Sequence, residues 1–173
     1  MPIAQRLKNR WVAFLAARIP ALAEHLVASY QPQRNSGQIP WAPITKPLSE
    51  CTLAVVTTAG VHHSGQTPFN MNDPNGDPSF RELDAETIPG DYYISHDYYD
   101  RRDAERDLNV VLPLQRLDEL QQEGILGRLA PRHYSFMGHI LEPHLPYLTE
   151  ESAPQVARKL RGSEVDLVLL TPA

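Results

Sequence analysis

The chain has 173 residues, of which 42% are hydrophobic and 21% are charged, so it holds enough apolar material for one folded core and is not a disordered chain. Its 16 Lys and Arg against 21 Asp and Glu give a net charge of -5, which argues against a phosphate-binding surface and so against nucleic-acid binding. The single cysteine, Cys51, rules out an internal disulfide. No apolar run has the length of a membrane span and no leader pattern precedes the fold, so the sequence favours a cytoplasmic protein.

An N-terminal helical arm is predicted over residues 1–30, because apolar residues recur there every three or four positions. Pro20 either kinks this arm or begins a second helix. The apolar stripe consists of Ile3, Leu7, Trp11, Phe14, Leu15, Leu22 and Leu26. Two interpretations stay open: a docking arm for a partner or a second copy, or, more simply, cover for the domain's own core. Residues 31–40 are polar and contain Pro and Gly, which predicts a linker before a domain at 41–173.

Short apolar runs alternate with helical patterns through residues 41–173. The predicted strands are Thr52–Thr58, Tyr92–Ser95, Leu108–Leu112, His133–Met137 and Asp166–Thr171, and the predicted helices are Leu114–Ile125 and Glu150–Leu160, the latter capped by Thr149. This order predicts an α/β fold with a mainly parallel sheet and helices on both faces. The segment Gly60–Asp91 is too polar and too rich in Pro and Gly for a core element, and is predicted to be a long functional or mobile loop.

Small, hydroxyl-bearing and imidazole side chains follow several predicted strands. In open α/β sheets, ligands bind beyond the carboxyl ends of the strands, where the loops converge. The candidate rim of such a site is Thr58, Gly60, His62, Ser95, His96 and Gly138. Backbone amides at small residues can approach a carboxylate or another small anion. The two histidines either handle a proton or bind an anion, or they are ordinary loop histidines; the pattern leaves both interpretations open.

Several longer strings in this chain match a known protein family. They are Trp41–Lys46, Val55–His62, Ser79–Glu82, Pro113–Leu114, Glu123–Ile125, Phe136–Gly138, Val165–Thr171 and the string SHxxYDxxDAxRDxN over Ser95–Asn109. On these residues the chain resembles the selenoprotein B family of glycine, sarcosine, betaine and D-proline reductases, most closely its selenocysteine-bearing D-proline branch. The resemblance covers about residues 41–173, and the string from Ser95 is long enough to be specific.

The resemblance implies part of an oxidoreductase subunit that reductively cleaves a C–N bond of a small amino acid or N-methylated amino acid. In that family, the strand matching Asp166–Thr171 leads directly to selenocysteine, which would follow Ala173, and a resolving cysteine comes three residues later. The substrate is activated on a pyruvoyl group carried by a partner subunit, a thiol protein donates electrons, and the subunits form an oligomer. We therefore expect this α/β domain to be incomplete at its C-terminus, cut at a UGA codon, and inactive alone.

The resemblance also adds Tyr99, Asp100 and Asn109 to the candidate supporting residues, with no catalytic residue and no cofactor inside the chain itself. Aspartates and arginines between Asp97 and Asp107 are expected to form a charge network that positions this loop. Cys51 is expected to be a small buried hydrophobe.

Two other classes of function remain as alternatives. One is a metal-dependent hydrolase, although its candidate ligands have no recognised short spacing; they are His62, His63, His96, Asp97, His139 and His144. The other is a non-catalytic module for binding or complex assembly. We expect no metal and, in the absence of a dinucleotide fingerprint or a P-loop, no bound nucleotide.

Overall fold

The computed structural model describes residues 3–29, 42–86 and 91–173, so the predicted linker at 31–40 lies outside the described residues. The helices are α1 (Ile3–Ala16), α2 (Pro20–Ser29), α3 (Arg102–Arg106), α4 (Leu114–Gln122), α5 (Leu145–Tyr147) and α6 (Ala153–Gly162). The strands are β1 (Thr52–Thr57), β2 (Val61–His63), β3 (Phe80–Asp84), β4 (Tyr92–Ile94), β5 (Arg128–Leu129), β6 (Arg132–Phe136) and β7 (Leu167–Thr171). In this part of the chain, no helix has the length and apolar character needed to cross a bilayer.

Strand β1 is the centre of a five-stranded mixed sheet. One of its edges pairs in parallel with β7 along Leu53 to Thr57. Its other edge is shared in parallel by β5, opposite Thr52 and Leu53, and by β6, opposite Val56 and Thr57. Strand β3 pairs antiparallel with β6. The prediction of an α/β fold with a mainly parallel sheet and an N-terminal helix is confirmed, since β3 is the one antiparallel strand among the described strands of this sheet.

A histidine fills the gap between β5 and β6. The chain leaves the sheet at Ala130 and Pro131, so the N–H of Val55 on β1 faces no strand carbonyl there. Nδ1 of His133 accepts that N–H at 3.0 Å, and the side chain is fully buried. Burial lowers the pKa of His133 to about 4, so the ring is neutral at pH 7. A buried imidazole thus completes the hydrogen bonding of the central strand.

Two hydrophobic clusters pack against the sheet. The larger one joins Val55 of β1 to Ala104 of α3 and Leu117 of α4. The smaller one joins Val56 of β1, with Tyr134 and Phe136 of β6, to Val156 of α6. Successive side chains of a strand point to opposite faces, so the neighbours Val55 and Val56 assign α4 and α6 to different sides of β1. Cys51, which precedes β1, is fully buried, as predicted.

The prediction that Gly60–Asp91 is a long loop without a core element is wrong for the described residues of this segment, 60–86 and 91. The segment contains β2 and β3, and its side chains Phe69 and Leu83 are buried. The sequence of β3 has no apolar pattern that would predict a strand. Charged residues surround Leu83, its one fully buried side chain, because β3 lies at the edge of the sheet. Strand β4 matches the predicted strand at Tyr92 but pairs antiparallel with β2 in a separate two-stranded sheet.

Two further predictions for local structure are wrong. The apolar run Leu108–Leu112 is not a strand: it begins with a 3-10 turn, Leu108–Val110, since the carboxylate of Asp107 accepts the N–H of Asn109 and starts that turn. Thr149 does not cap a helix: it lies inside a π-helical turn, Leu148–Ser152, and its hydroxyl donates back to the carbonyl of Leu145. Pro146 in the preceding short helix α5 is compatible with the first turn of a helix, so the helical path begins before Thr149.

The arm consists of α1 and α2, and Pro20 begins the second helix, one of the two possibilities raised by the sequence. Ala13 is the only buried residue of α1, while Ile3, Leu7 and Trp11 expose 79%, 50% and 62% of their surface. The interpretation that the stripe covers the domain's own core is therefore wrong for these side chains. The arm is instead attached by charged groups: Arg6 Nε donates to Asp97 at 2.6 Å, and Arg18 pairs with Asp100 at 3.3 Å.

We predict that the free energy of unfolding falls as the pH is lowered from 7 to 5. Over this range His133 becomes protonated in the unfolded chain but stays largely neutral in the folded chain. The folded pKa of about 4 lies below the unfolded value of 6.5, so this contribution is present above pH 6.5 and is lost towards pH 4. His133→Gln should cost about 1–2 kcal/mol at pH 7 but reduce the loss between pH 7 and pH 5 by about 2 kcal/mol. Urea unfolding at both pH values measures this, with exposed His25→Gln as the control. An unchanged pH dependence in His133→Gln contradicts the prediction.

Candidate functional site

The carboxyl ends of three strands and the loop after β4 meet at one end of the sheet. The N–H of Ala173 donates to Thr58 Oγ1 at 3.1 Å, and the N–H of Thr58 donates to the carbonyl of Thr171 at 3.1 Å. The N–H of Gly60 donates to the carbonyl of Phe136, and the carbonyl of Gly60 accepts from Ser95, both at 2.9 Å. We call the group that meets here the strand-end cluster; it consists of Thr58, Gly60, Ser95, His96, Gly138 and Ala173.

Two glycines allow this close approach. Gly60 has φ = 70°, a left-handed conformation that other residues adopt only with strain, and a Cβ there would overlap the carbonyl of Ser95. A Cβ added at Gly138 would lie 3.0 Å from the carbonyl oxygen of Thr58, 3.2 Å from that of Ala173 and 3.3 Å from Nε2 of His96. Thus one point beside Gly138 borders three segments that are far apart in the sequence.

His96 is the most deeply buried polar side chain of the cluster, with 2% of its surface exposed. Its Nδ1 accepts the N–H of Tyr98 at 3.1 Å, and its Nε2 has no hydrogen-bond partner among the described residues. Burial, with the nearby His139 and Arg101, lowers the pKa of His96 to about 4 against an opposing effect of Asp97. His96 is therefore a neutral imidazole at pH 7.

His62, by contrast, uses both ring nitrogens. Nε2 lies 2.9 Å from Ser95 Oγ, and Nδ1 lies 3.0 Å from the carbonyl oxygen of His63. The ring packs against Phe69 and Tyr93, with centroids 6.4 and 6.1 Å away. His62 thus orients Ser95, and through it the backbone beside Gly60, from the adjoining two-stranded sheet.

Tyr99 and the arm enclose the other side of His96. The rings of Tyr99 and His96 have centroids 4.8 Å apart, and the Tyr99 hydroxyl donates to the carbonyl of Ala59 at 3.3 Å. Burial raises the pKa of Tyr99, which keeps this hydroxyl protonated. A cavity of about 300 Å³ lies between α1 and this loop, and Arg10, Trp11, Phe14, His96 and Tyr99 contribute to its walls.

Two predicted supporting residues are not brought to the strand-end cluster. Asp100 pairs with Arg102 and Arg18, and these cations hold the pKa of its carboxyl below the usual range. It does contribute to the wall of the cavity beside His96. Asn109 bonds to Asp107 and Gln115 and stabilises the turn before α4. The charge network predicted for this loop exists, but its pairs position the arm and α3 rather than the cluster.

Sequence reasoning missed the contribution of the arm and of the segment after Gly138. Arg6 donates to the buried carboxylate of Asp97, the residue after His96. The ring of His139 stacks on Tyr98 with centroids 3.7 Å apart, on the side chain whose N–H holds His96. The position of His139 directly after the Phe136–Gly138 match was the one available signal, whereas nothing in the sequence connects Arg6 to Asp97.

The histidines and carboxylates do not gather into a metal site in residues 3–29, 42–86 and 91–173, where no group of three or more potential ligands occurs. His144 pairs with Asp73 at 2.8 Å, while His139 approaches the carbonyl oxygen of Pro74 at 3.0 Å. The alternative of a metal-dependent hydrolase therefore has no ligand set in the described part of the chain.

Comparison with known proteins identifies the family of this chain. The model of the glycine/sarcosine/betaine reductase selenoprotein B family matches residues 4–173. The chain belongs to this family. A D-proline reductase subunit gamma from Acetoanaerobium sticklandii is 38% identical over 131 residues, which is 76% of this chain and 52% of the relative.

Other relatives are components of related reductase complexes. The chain is 28% identical to a glycine reductase complex component B subunit gamma of Symbiobacterium thermophilum, over 97% of this chain and 38% of the relative. It is 31% identical to a betaine reductase complex component B subunit beta of Peptoclostridium acidaminophilum, over 75% of this chain and 29% of the relative. The chain thus spans about half the length of the D-proline reductase relative and less of the other two. No solved structure matches it.

We predict that Gly60→Ala lowers the free energy of unfolding by more than the conformational cost of placing alanine at a positive φ. Gly124 has a similar φ of 72°, but a Cβ there meets nothing within 4 Å, so Gly124→Ala measures the conformational cost by itself, about 1–2 kcal/mol. Gly60→Ala should cost clearly more, because the added methyl also displaces the Ser95 carbonyl. Urea unfolding of the two variants tests this; equal losses would contradict it.

Proposed function

We propose that this chain is the front part of a selenoprotein B subunit that carries a selenocysteine directly after Ala173 and takes part in reductive cleavage of a C–N bond. One observation supports the proposal: β7, which by the resemblance corresponds to the strand before selenocysteine, brings Ala173 into the strand-end cluster. The family description names a selenoprotein, and the relative at 38% identity is about twice as long as the region matched here.

Two features of the cluster fit a selenol at that point. Nε2 of His96 is buried and unpartnered among the described residues, and Gly138 leaves the space beside Nε2 and the Ala173 carbonyl free of a side chain. A selenol is more acidic than a thiol, so it is largely anionic at neutral pH. The anion is the nucleophile, as it is for thiols of low pKa. A neutral imidazole with a free nitrogen does not repel such an anion, whereas a carboxylate in the same place would raise the pKa of the selenol.

The residues of this chain act as a support for the reactive group. Thr58 fixes the end of β7 through the N–H of Ala173, and Gly60 and Gly138 admit the backbone segments around it. His62 holds Ser95, and Tyr99 packs on His96 from the side of the arm. The cavity of about 300 Å³ beside His96 has the size of a small-molecule site, and we assign the substrate's non-reacting part to it.

The substrate class is a small amino acid or an N-methylated one. Reductive cleavage replaces a C–N bond with C–H and N–H bonds and consumes two electrons and two protons, so the reaction needs an external reductant. We propose a thiol electron-donor protein for this role, and a partner subunit whose pyruvoyl group activates the substrate amine. D-proline is the first substrate to test, since the relative named for it shares 38% identity with this chain against 28% for the one named for glycine.

The proposal is tested by the gene and by selenium incorporation. We expect a UGA codon directly after the codon for Ala173, followed by a frame with a cysteine three residues on. Expression of that frame in a selenocysteine-inserting host fed with radioactive selenite should yield a labelled product longer than 173 residues. The same frame with UGC in place of UGA should give an unlabelled product of the longer length.

A labelled product combined with a pyruvoyl-bearing partner and dithiothreitol should convert D-proline to 5-aminopentanoate, and the cysteine variant should be far slower. A UAA or UAG codon after Ala173, or a full-length product without label, would overturn the proposal. In that event the alternative of a non-catalytic assembly module becomes the better account.

A further inference from the structure

The hydrogen bonding of His96 determines which of its nitrogens carries the proton. A backbone N–H can only donate, so Nδ1, which receives the N–H of Tyr98 at 3.1 Å, must present its lone pair. In a neutral imidazole, the proton then resides on Nε2. This nitrogen is therefore a donor, and it is the one that has no partner among the described residues.

Burial of an unpaired donor costs free energy unless a partner arrives, and a water, an ion, a ligand or another chain segment can be that partner. Nε2 of His133 is unpartnered among the described residues as well, so the position of Nε2 of His96 at the strand ends is what distinguishes it. Nε2 of His96 and the carbonyl oxygen of Ala173 border the same point beside Gly138, at 3.3 and 3.2 Å. The carbonyl oxygen of Thr58 borders the point as well, at 3.0 Å. A residue that follows Ala173 would start at this end of the sheet, and its side chain is the candidate partner that we consider.

We propose that the Nε2–H of His96 donates a hydrogen bond to the side-chain anion of the residue after Ala173, and that His96 positions and stabilises this anion without exchanging a proton with it. This inference rests on the proposed function and assigns His96 a role that differs from the acid or base role open to it from sequence. The charged and titratable groups facing His96 are His139, Asp97, Arg101, Tyr98 and Tyr99. Oδ2 of Asp97 is paired with Arg6, while its Oδ1 has no hydrogen-bond partner among the described residues.

The surroundings of His96 support a donor that stays in place. Tyr98 holds Nδ1 by its backbone, while its own ring is stacked on His139. Tyr99 packs against the opposite side of the imidazole, and its hydroxyl is fixed on the carbonyl of Ala59. A ring held in this way loses little entropy when its free N–H finds an acceptor.

The tautomer can be tested on the 173-residue chain itself. Nitrogen-15 spectra of the imidazoles should give His96 a protonated, pyrrole-type Nε2 and an unprotonated, pyridine-type Nδ1. Both shifts should stay constant between roughly pH 8 and pH 5, since the ring resists protonation. A proton on Nδ1, or a titration near pH 6.5, would overturn the proposal.

The hydrogen bond can be tested on the completed chain with cysteine at the position after Ala173, by following thiolate absorbance against pH. His96→Asn keeps an acceptor for the Tyr98 N–H and removes the Nε2 donor, so the thiolate fraction at neutral pH should fall about tenfold. His96→Gln keeps a donor near the position of Nε2 and should retain most of the thiolate. His133→Gln, which removes a buried imidazole from elsewhere in the sheet, is the matched control and should leave the thiol unchanged.

The two proposals can fail separately. If selenium is incorporated after Ala173 but His96→Asn leaves the thiolate fraction unchanged, the role of His96 is wrong and the proposed function stands. If no selenocysteine follows Ala173, the proposed function is wrong, and the role of His96 fails with it. If His96→Asn does not fold, the tautomer measured on the unmodified chain and the behaviour of His96→Gln still decide the question.

Discussion

The arrangement of this domain depends on the hydrogen bonding of β1 along both of its edges. Strand β7 occupies one edge, while β5 and β6 share the other, so the parallel strands β1, β6 and β7 end at the same level. At two points past that level, backbone segments approach one another more closely than a side chain between them would allow. Gly60 and Gly138 lie at these two points, and His133 supplies the one hydrogen bond that the interrupted partner strand cannot.

The side chains of the strand-end cluster carry no net charge at pH 7, while charged pairs lie next to it. His96 carries no proton on Nδ1, and Asp97, the next residue, is neutralised by Arg6 from the arm. The remaining charges of the loop pair with one another or with the arm, as in Arg18 with Asp100. An anion placed at the strand ends meets polar N–H and O–H groups, while the carboxylate of Asp97 next to His96 is paired with Arg6 through one oxygen only. The arm, whose own apolar side chains remain exposed, thus contributes to the site by charge compensation.

The sequence predicts the parts of this structure that depend on local pattern. The β-branched run of β1, the apolar run of β7 and the small residues after each strand were sufficient to place Thr58, Gly60, Ser95, His96 and Gly138 at one end of a sheet. Strand β3 escaped prediction because an edge strand buries few side chains. Asn109 lies in the turn before α4, and a long matching string does not say which of its residues share such a turn. The tautomer of His96 depends on one backbone N–H and cannot be read from residue types.

Strand β7 has a further consequence for the molecule in solution. Among the described strands it pairs only with β1, so its outer backbone groups are free of strand partners, and Val168, Leu169 and Leu170 expose 42%, 36% and 68% of their surface. An open edge of this kind accepts hydrogen bonds from any extended peptide that reaches it, and its leucines add an apolar driving force. The segment that delivers Ala173 to the cluster therefore also carries a sheet edge that a further strand can extend.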